Sequence, residues 1–442
     1  MRCVLLANNR LGERLAHYLA ERGDLAGLVL HAPARRREFE DPAAFGVPCW
    51  TWPDGDPLAV SRAGGQVILS AGAQGAGKSQ ALLSIIETAL APRPPLTSET
   101  LPPTAVLAFH CDLSGATLPE LLHAAWPTQS AADREYLARH LGVAPRGLRK
   151  VRLLVPAESL EDVYDRVRAA VGELPPNLEI RPLRLRPHHL GARGLAALFG
   201  VDPRHPPRYL QELLAQALAL GPALTTAALH TAILGCEALS RGQQARALSR
   251  LALLQELESS DDQDGDPWAL CEPGVLSIVH LTGRWLSADH ALPLIVALMN
   301  VFVQPSPRHG PLQRMIVLDE INELRGTPEL WAALVVTARQ IRHLGSVLWL
   351  SGQDLCNVPA ELLGLATIVL CFRLRSPRVF EHLRRHVAGF ARVRFSRVAA
   401  LQPGQAIAVA AECSRPELRG RPLTIYVRPP SCAHGGHTRA VN

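Results

Sequence analysis

The sequence predicts an α/β fold: a core of buried strands and covering helices, interrupted by a largely helical insertion and preceded by a small βαβ unit. Three observations predict it. Short apolar runs recur near 67–69, 104–109, 275–280, 315–318, 346–350 and 367–372, and their length suits buried strands rather than helices. Helical patterns lie between them, as in QALLSIIETAL after the first run and Pro328 to His343 before a later one. From about 113 to 268 the pattern turns mostly helical, as in SLEDVYDRVRAAV and YLQELLAQALAL.

The bulk numbers leave room for that plan. With 442 residues, 48% apolar and 19% charged, the chain can bury one large core or two to three smaller ones. No apolar run approaches the roughly 20 residues that span a bilayer, and the N-terminus lacks the order of a signal peptide. No membrane partner is therefore expected. The nine cysteines are scattered without a CxxC pair, which points away from a zinc site or a disulfide framework and suits a reducing cytoplasm. A net charge of +6 permits a polyanionic partner.

Residues 1–58 read as the first unit. Cys3–Ala7 is a strand, Gly12–Arg22 an amphipathic helix and Leu25–His31 a second strand. The turn Asn8-Asn9-Arg10-Leu11-Gly12 is no GxGxxG, so a dinucleotide fingerprint is absent.

The next unit, 62–442, opens on QVILSAGAQGAGKS, residues 66 to 79. The loop Gly72-Ala73-Gln74-Gly75-Ala76-Gly77-Lys78-Ser79 fits G-x-x-x-x-G-K-[ST] between a strand and a helix, the setting that makes it a P-loop. Its glycines let backbone N–H groups curl round a phosphate, and the helix that follows aims its positive end at the same anion. Gly72, Gln74, Gly75, Ala76, Gly77, Lys78, Ser79 and Gln80 are the expected ATP-binding residues, with the Lys78 amine on the β- and γ-phosphates and the Ser79 hydroxyl on Mg²⁺. Lys78 and Lys150 are the two lysines of a chain that otherwise uses arginine for positive charge. A lysine here is a point charge suited to a phosphate.

After the Pro-rich loop APRPPLTSETLPP, a strand over 104–109 ends in His110-Cys111-Asp112. The insertion follows, with a solvated acidic loop, ESSDDQDGDP. The core resumes at Val275–His280, then Leu281-Thr282-Gly283 and the apolar helix ALPLIVALMNVFV. The strand Arg314–Leu318 ends in Asp319 and Glu320, the pattern of a Walker B strand: Asp319 completes the metal shell and Glu320 polarises the attacking water. A helix from Pro328 to His343 carries Arg339 and Arg342, and Gly345 breaks it. The strand Ser346–Leu350 leads through Ser351-Gly352 to Gln353, whose amide could sense the γ-phosphate. Strands at 367–372, 406–410 and Leu423–Val427 precede a tail with His434-Gly435-Gly436-His437.

The order and spacing of these pieces resemble the HerA-like branch of the HerA/FtsK superfamily of hexameric ATPases. Leu281-Thr282-Gly283 matches that family's L-[ST]-G turn, Val317-Leu318-Asp319-Glu320 its Walker B, and Gln353 its sensor, eight residues past Gly345. Leu401-Gln402-Pro403-Gly404 and His434-Gly435-Gly436 match its late turn and its terminal segment. Departures are Gln340-Ile341 for Glu-Gly, Gly352 for Ser, and Asp354-Leu355-Cys356 for Arg-Pro-Ser; the family's N-terminal β-barrel is replaced by the βαβ unit. MRCVLLANNRLGERLAHYLAERGDLAGLVLHAP resembles the start of methionyl-tRNA-type formyltransferases, but stops before their catalytic residues, so no formyl transfer is expected.

The resemblance implies a RecA-like P-loop core in a hexameric ring that hydrolyses ATP with Mg²⁺ and threads duplex DNA. Lys78, Glu320 and Gln353 would act in one subunit, with Arg342 reaching in from its neighbour and Arg339 as the rival finger. A second reading is a regulatory or scaffold ATPase whose nucleotide state controls assembly with a protein partner, recruited through the N-terminal unit. A third is a small-molecule P-loop kinase, for which the chain shows no arginine-rich lid or acceptor motif.

Overall fold

The structure, a computed structural model, describes residues 3–7, 25–31, 49–52, 59–61, 65–90, 104–112, 117–141, 144–201, 206–258, 270–282, 288–304, 312–324, 326–411 and 419–434. Near the N-terminus four strands form a small sheet. They are β1 (Cys3–Ala7), β2 (Leu25–His31), β3 (Cys49–Trp52) and β4 (Ala59–Ser61), in the order β3-β2-β1-β4. β1 and β2 run parallel, as a βαβ unit requires, and the expected helix Gly12–Arg22 lies outside the described residues. Two strands beyond the expected pair join this sheet, and β4 falls just past residue 58.

The main sheet has ten strands. In chain order they begin with β5 (Gln66–Ala71), followed by helix α1 (Lys78–Leu90), then β6 (Thr104–Asp112). Next come β7 (Val151–Val155), α2 (Leu160–Val171) and β8 (Leu178–Pro182). Four helices follow: α3 (Pro187–Leu198, kinked at Gly191), α4 (Arg208–Ala219), α5 (Thr226–Gly235) and α6 (Arg241–Leu257). Then β9 (Leu276–Thr282), α7 (Ala288–Phe302), β10 (Gln313–Leu318), α8 (Pro328–His343) and β11 (Val347–Gly352) complete the centre. Last are β12 (Ile368–Cys371), α9 (Pro377–His386), β13 (Gln405–Ala410) and β14 (Leu423–Tyr426).

The strand order is β14-β13-β12-β5-β11-β10-β6-β9-β7-β8. From β12 to β8 every pairing is parallel, while β13 and β14 add an antiparallel edge. A parallel sheet must be covered on both faces, and alternation along each strand supplies two apolar layers. Val67 and Leu69 of β5 point into the layer under α3–α8, and Ile68 into the layer under α1 and α2. The P-loop helix and the insertion's helices α3–α6 thus cover opposite faces.

The stretch read as helical from 113 to 268 needs a correction: it also supplies β7 and β8, which extend the main sheet. The reason is electrostatic. Buried Arg152 interrupts the apolar run of β7, and its charge is met by Glu179 of β8 at 2.9 Å and by Glu272. Burial opposes the charges, but Arg152 outweighs it at both glutamates and holds them below the usual carboxylate range. The acidic loop of the insertion lies mostly outside the described residues. β9 runs on through Thr282, so the expected turn there begins inside a strand.

Candidate nucleotide site

The parallel strands aim their C-terminal ends at one edge, where ligands of open α/β sheets bind. β5 delivers the glycine-rich loop there. Gly75 and Gly77 have φ of 70° and 112°, a region that favours glycine. Gly72 is needed for a different reason: a Cβ on it would lie 2.6 Å from the Cβ of Phe372. Gln74 and Gly75 form the exposed tip, and Ala76 is buried beneath it. The turn Leu401–Gly404 fastens the loop, with the Gly404 N–H donating to the Ala76 carbonyl at 3.1 Å. Gln80 faces the tail instead, donating to the Val427 carbonyl at 3.2 Å.

Lys78 opens α1 and is only 7% exposed. Its Nζ donates to the carbonyls of Gly72 at 2.8 Å and Ala73 at 3.3 Å. Burial lowers its pKa, against the pull of Glu320, Asp319 and Glu120. Ser79 Oγ donates to Glu120 Oε2 at 2.8 Å.

β11 lies between β5 and β10, so its end touches both halves of the site. Asp319 follows β10, and burial pushes its carboxyl up despite a hydrogen bond from Ser351. Glu320 is the sole non-glycine among the described residues with positive φ (49°). A carboxylate held in that costly conformation is fixed by its surroundings. Burial, then Asp319, raise its pKa as well. Gln353 Nε2 donates to Glu320 Oε1 at 3.1 Å, and the Gln353 N–H donates to Asn322 Oδ1 at 3.0 Å. Gly352, where the resembled family has serine, makes room for this: a Cβ there would stand 2.7 Å from Asn322 Oδ1.

The residues present fit a divalent cation. Three carboxylates crowd one ammonium, the Ser79 hydroxyl bonds one of them, Glu120, and Glu320 Oε2 is buried without a hydrogen-bond partner. The structure thus gathers Lys78, Ser79, Asp319, Glu320 and Gln353. Arg342 lies elsewhere: it sits in the last turn of α8, and its carbonyl accepts the Gly345 N–H beside the start of β11, at the sheet edge opposite the loop. Arg339 is exposed on the same helix. Gly283, Gly435 and Gly436 fall outside the described residues. Sequence reasoning missed Glu120, Asn322 and Ser351; a polar residue one or two positions from a motif was the available signal for the last two.

No family model matches the chain, and no curated protein does. Among solved structures it is similar to VirB4 of Thermoanaerobacter pseudethanolicus, at 16% identity over 86% of this chain and 94% of that one, with a TM-score of 0.43. It is also similar to the plasmid coupling protein TrwB in complex with the ATP analogue ADPNP, at 13% identity over 84% and 86% of the two chains, with a TM-score of 0.47. The genome packaging NTPase B204 of Sulfolobus turreted icosahedral virus 2, in complex with AMPPCP, is 18% identical over 30% of this chain, with a TM-score of 0.23. The chain spans 61% of that protein's length. Strand order and loop geometry, rather than these likenesses, define the class: an α/β P-loop core. This is the fold that the HerA/FtsK resemblance implied. Among the described residues no helix is long and apolar enough to cross a membrane.

Proposed function

We propose that this chain is an ATP-hydrolysing motor of the HerA/FtsK type that works on duplex DNA as a hexameric ring. The observation that carries the reading is the convergence of Lys78, Ser79, Asp319, Glu320 and Gln353 at one edge of the sheet. Lys78 and the N–H groups of the Gly72–Gly77 loop would take the phosphates, and Ser79 with Asp319 would hold Mg²⁺, which would supply charge neutralisation for the triphosphate. Glu320 accepts the proton of the attacking water, and Gln353, bonded to Glu320, reports on the γ-phosphate. Arg342, remote from its own loop, serves the neighbouring subunit, with Arg339 as the rival.

DNA as the partner is supported by a basic surface beyond β12. Residues 373–397 hold eight arginines and a single acid, Glu381. Arg378, Arg384 and Arg394 line one open cavity of about 610 Å³ with that glutamate. Guanidiniums so arranged suit a phosphate backbone.

Lys78→Ala should lower ATP hydrolysis by at least roughly 10²-fold. Duplex DNA should stimulate the wild-type chain, with stimulation falling steeply as salt rises. Hydrolysis indifferent to DNA would leave the regulatory or scaffold reading in its place, and a native mass below six subunits in ATP would remove the ring.

A further inference from the structure

Ser79 faces a carboxylate that no motif marks. Glu120 begins the short 3₁₀ helix Glu120–Ala125, whose Leu121, Leu122, Ala124 and Ala125 are buried. Its Oε2 accepts the Ser79 hydroxyl at 2.8 Å, and its charge acts on Lys78, Asp319 and Glu320. The helix is braced from behind. Leu148 N–H donates to the Ala124 carbonyl at 2.8 Å, Asn177 Nδ2 to the Ala125 carbonyl at 2.8 Å, and Ala433 N–H to the Trp126 carbonyl at 2.7 Å. Glu120 itself is exposed, so its side chain had water as an alternative to Ser79. With a third carboxylate beside Asp319 and Glu320, the one ammonium of Lys78 faces three acids, and Coulomb's law favours a further cation there.

A hydroxyl has one proton and two lone pairs. While the hydroxyl donates its hydrogen bond to Glu120, both lone pairs of Ser79 Oγ are left for a cation. Among the described residues no group of three or more His, Cys, Asp or Glu side chains is arranged to hold a metal by itself. The 2.8 Å hydrogen bond from Ser79 Oγ sets Glu120 behind the hydroxyl. We propose that Glu120 is a positioning residue of the metal–triphosphate site, which fixes the Ser79 hydroxyl as a metal ligand and adds its charge to the outer shell. The inference rests on the nucleotide reading of the Gly72–Ser79 loop.

The test uses the full chain with Mn²⁺ as the probe, followed by electron paramagnetic resonance in the presence of a non-hydrolysable ATP analogue. Loss of an outer-shell partner costs about 10- to 100-fold in metal affinity, and Glu120→Ala should raise the half-saturating Mn²⁺ by that much. Glu120→Gln, whose amide oxygen still accepts the Ser79 proton, should fall between Ala and wild type. Affinity for the analogue in EDTA should stay at the wild-type value in both. Unchanged Mn²⁺ half-saturation in both variants overturns the proposal. So does analogue affinity that drops equally with and without metal, since Glu120 would then merely brace the loop. If the wild-type chain binds no analogue under either condition, the nucleotide reading itself has failed.

Discussion

Helix α1 carries a buried charge near each end, and the two are handled in opposite ways. Glu87, toward its C-terminus, is 8% exposed and fully matched. Arg428 Nη1 donates to it at 3.1 Å, and Ser431 donates both its N–H (3.0 Å) and its hydroxyl. Burial pushes the Glu87 carboxyl up, and Arg428 with Ser431 outweighs that and holds it below the usual range. Lys78, at the other end, faces three carboxylates, and two of them have raised pKa values. One end is complete within the chain. The other leaves negative charge that only something from outside can balance, which is how a structural ion pair and a ligand site differ when both are buried.

Breaking the matched end should have the largest effect. Arg428→Met strands the Glu87 carboxylate and should cost about 3–5 kcal/mol in a denaturant titration. The pH dependence has a definite sign. A carboxylate with a lowered folded pKa contributes stability that is present above its ordinary value near 4.5 and is lost as pH falls through the folded value. The wild-type chain should lose this part on acidification, and the variant should have none to lose.

An intermediate effect is expected where the site is tightly packed. Gly352→Ser drives a Cβ to 2.7 Å from Asn322 Oδ1 and 2.8 Å from Leu355 Cδ2. Overpacking of this kind costs about 1–3 kcal/mol. It also dislodges the partner of the Gln353 N–H, so hydrolysis should fall even at temperatures where the variant stays folded. Thermal unfolding and turnover measured together check both.

The smallest effect should be a gain. Glu320→Gln removes a carboxylate that burial and Asp319 disfavour. With its folded pKa raised, the stability Glu320 contributes is present below about 4.5 and lost as pH rises. In metal-free buffer at neutral pH the variant should therefore be more stable by about 1 kcal/mol, while hydrolysis drops. The gap should close toward pH 4.5. Lower stability of Glu320→Gln at pH 7 would count against the unmatched end.

Much of this was legible in the sequence, and for local reasons. The loop from Gly72 to Ser79 is a continuous octamer, and α8 runs from Pro328 to His343 as its Pro and Gly345 signals implied. What escaped depends on contacts between distant segments. Arg152 hid β7 because its partners lie 27 and 120 residues away. Glu120 sits 41 residues from Ser79, and Arg428 is 341 from Glu87. No periodic pattern records such pairs. The loop that binds Ala76 was visible as a turn at Leu401–Gly404, but its place on the P-loop was not.

The position of β5 also bears on how the chain is made. Its neighbours in the sheet are β11 and β12, and Val67 N–H donates to Thr367 Oγ1 across 300 residues of chain. The strand that carries the phosphate loop leaves the ribosome long before either partner exists. Pairing over such separations is slow and waits on loop closure. A nascent chain stopped before residue 347 would hold the whole glycine-rich motif and neither of the strands that flank β5. A ligand at this loop would therefore favour only chains whose translation has passed β12.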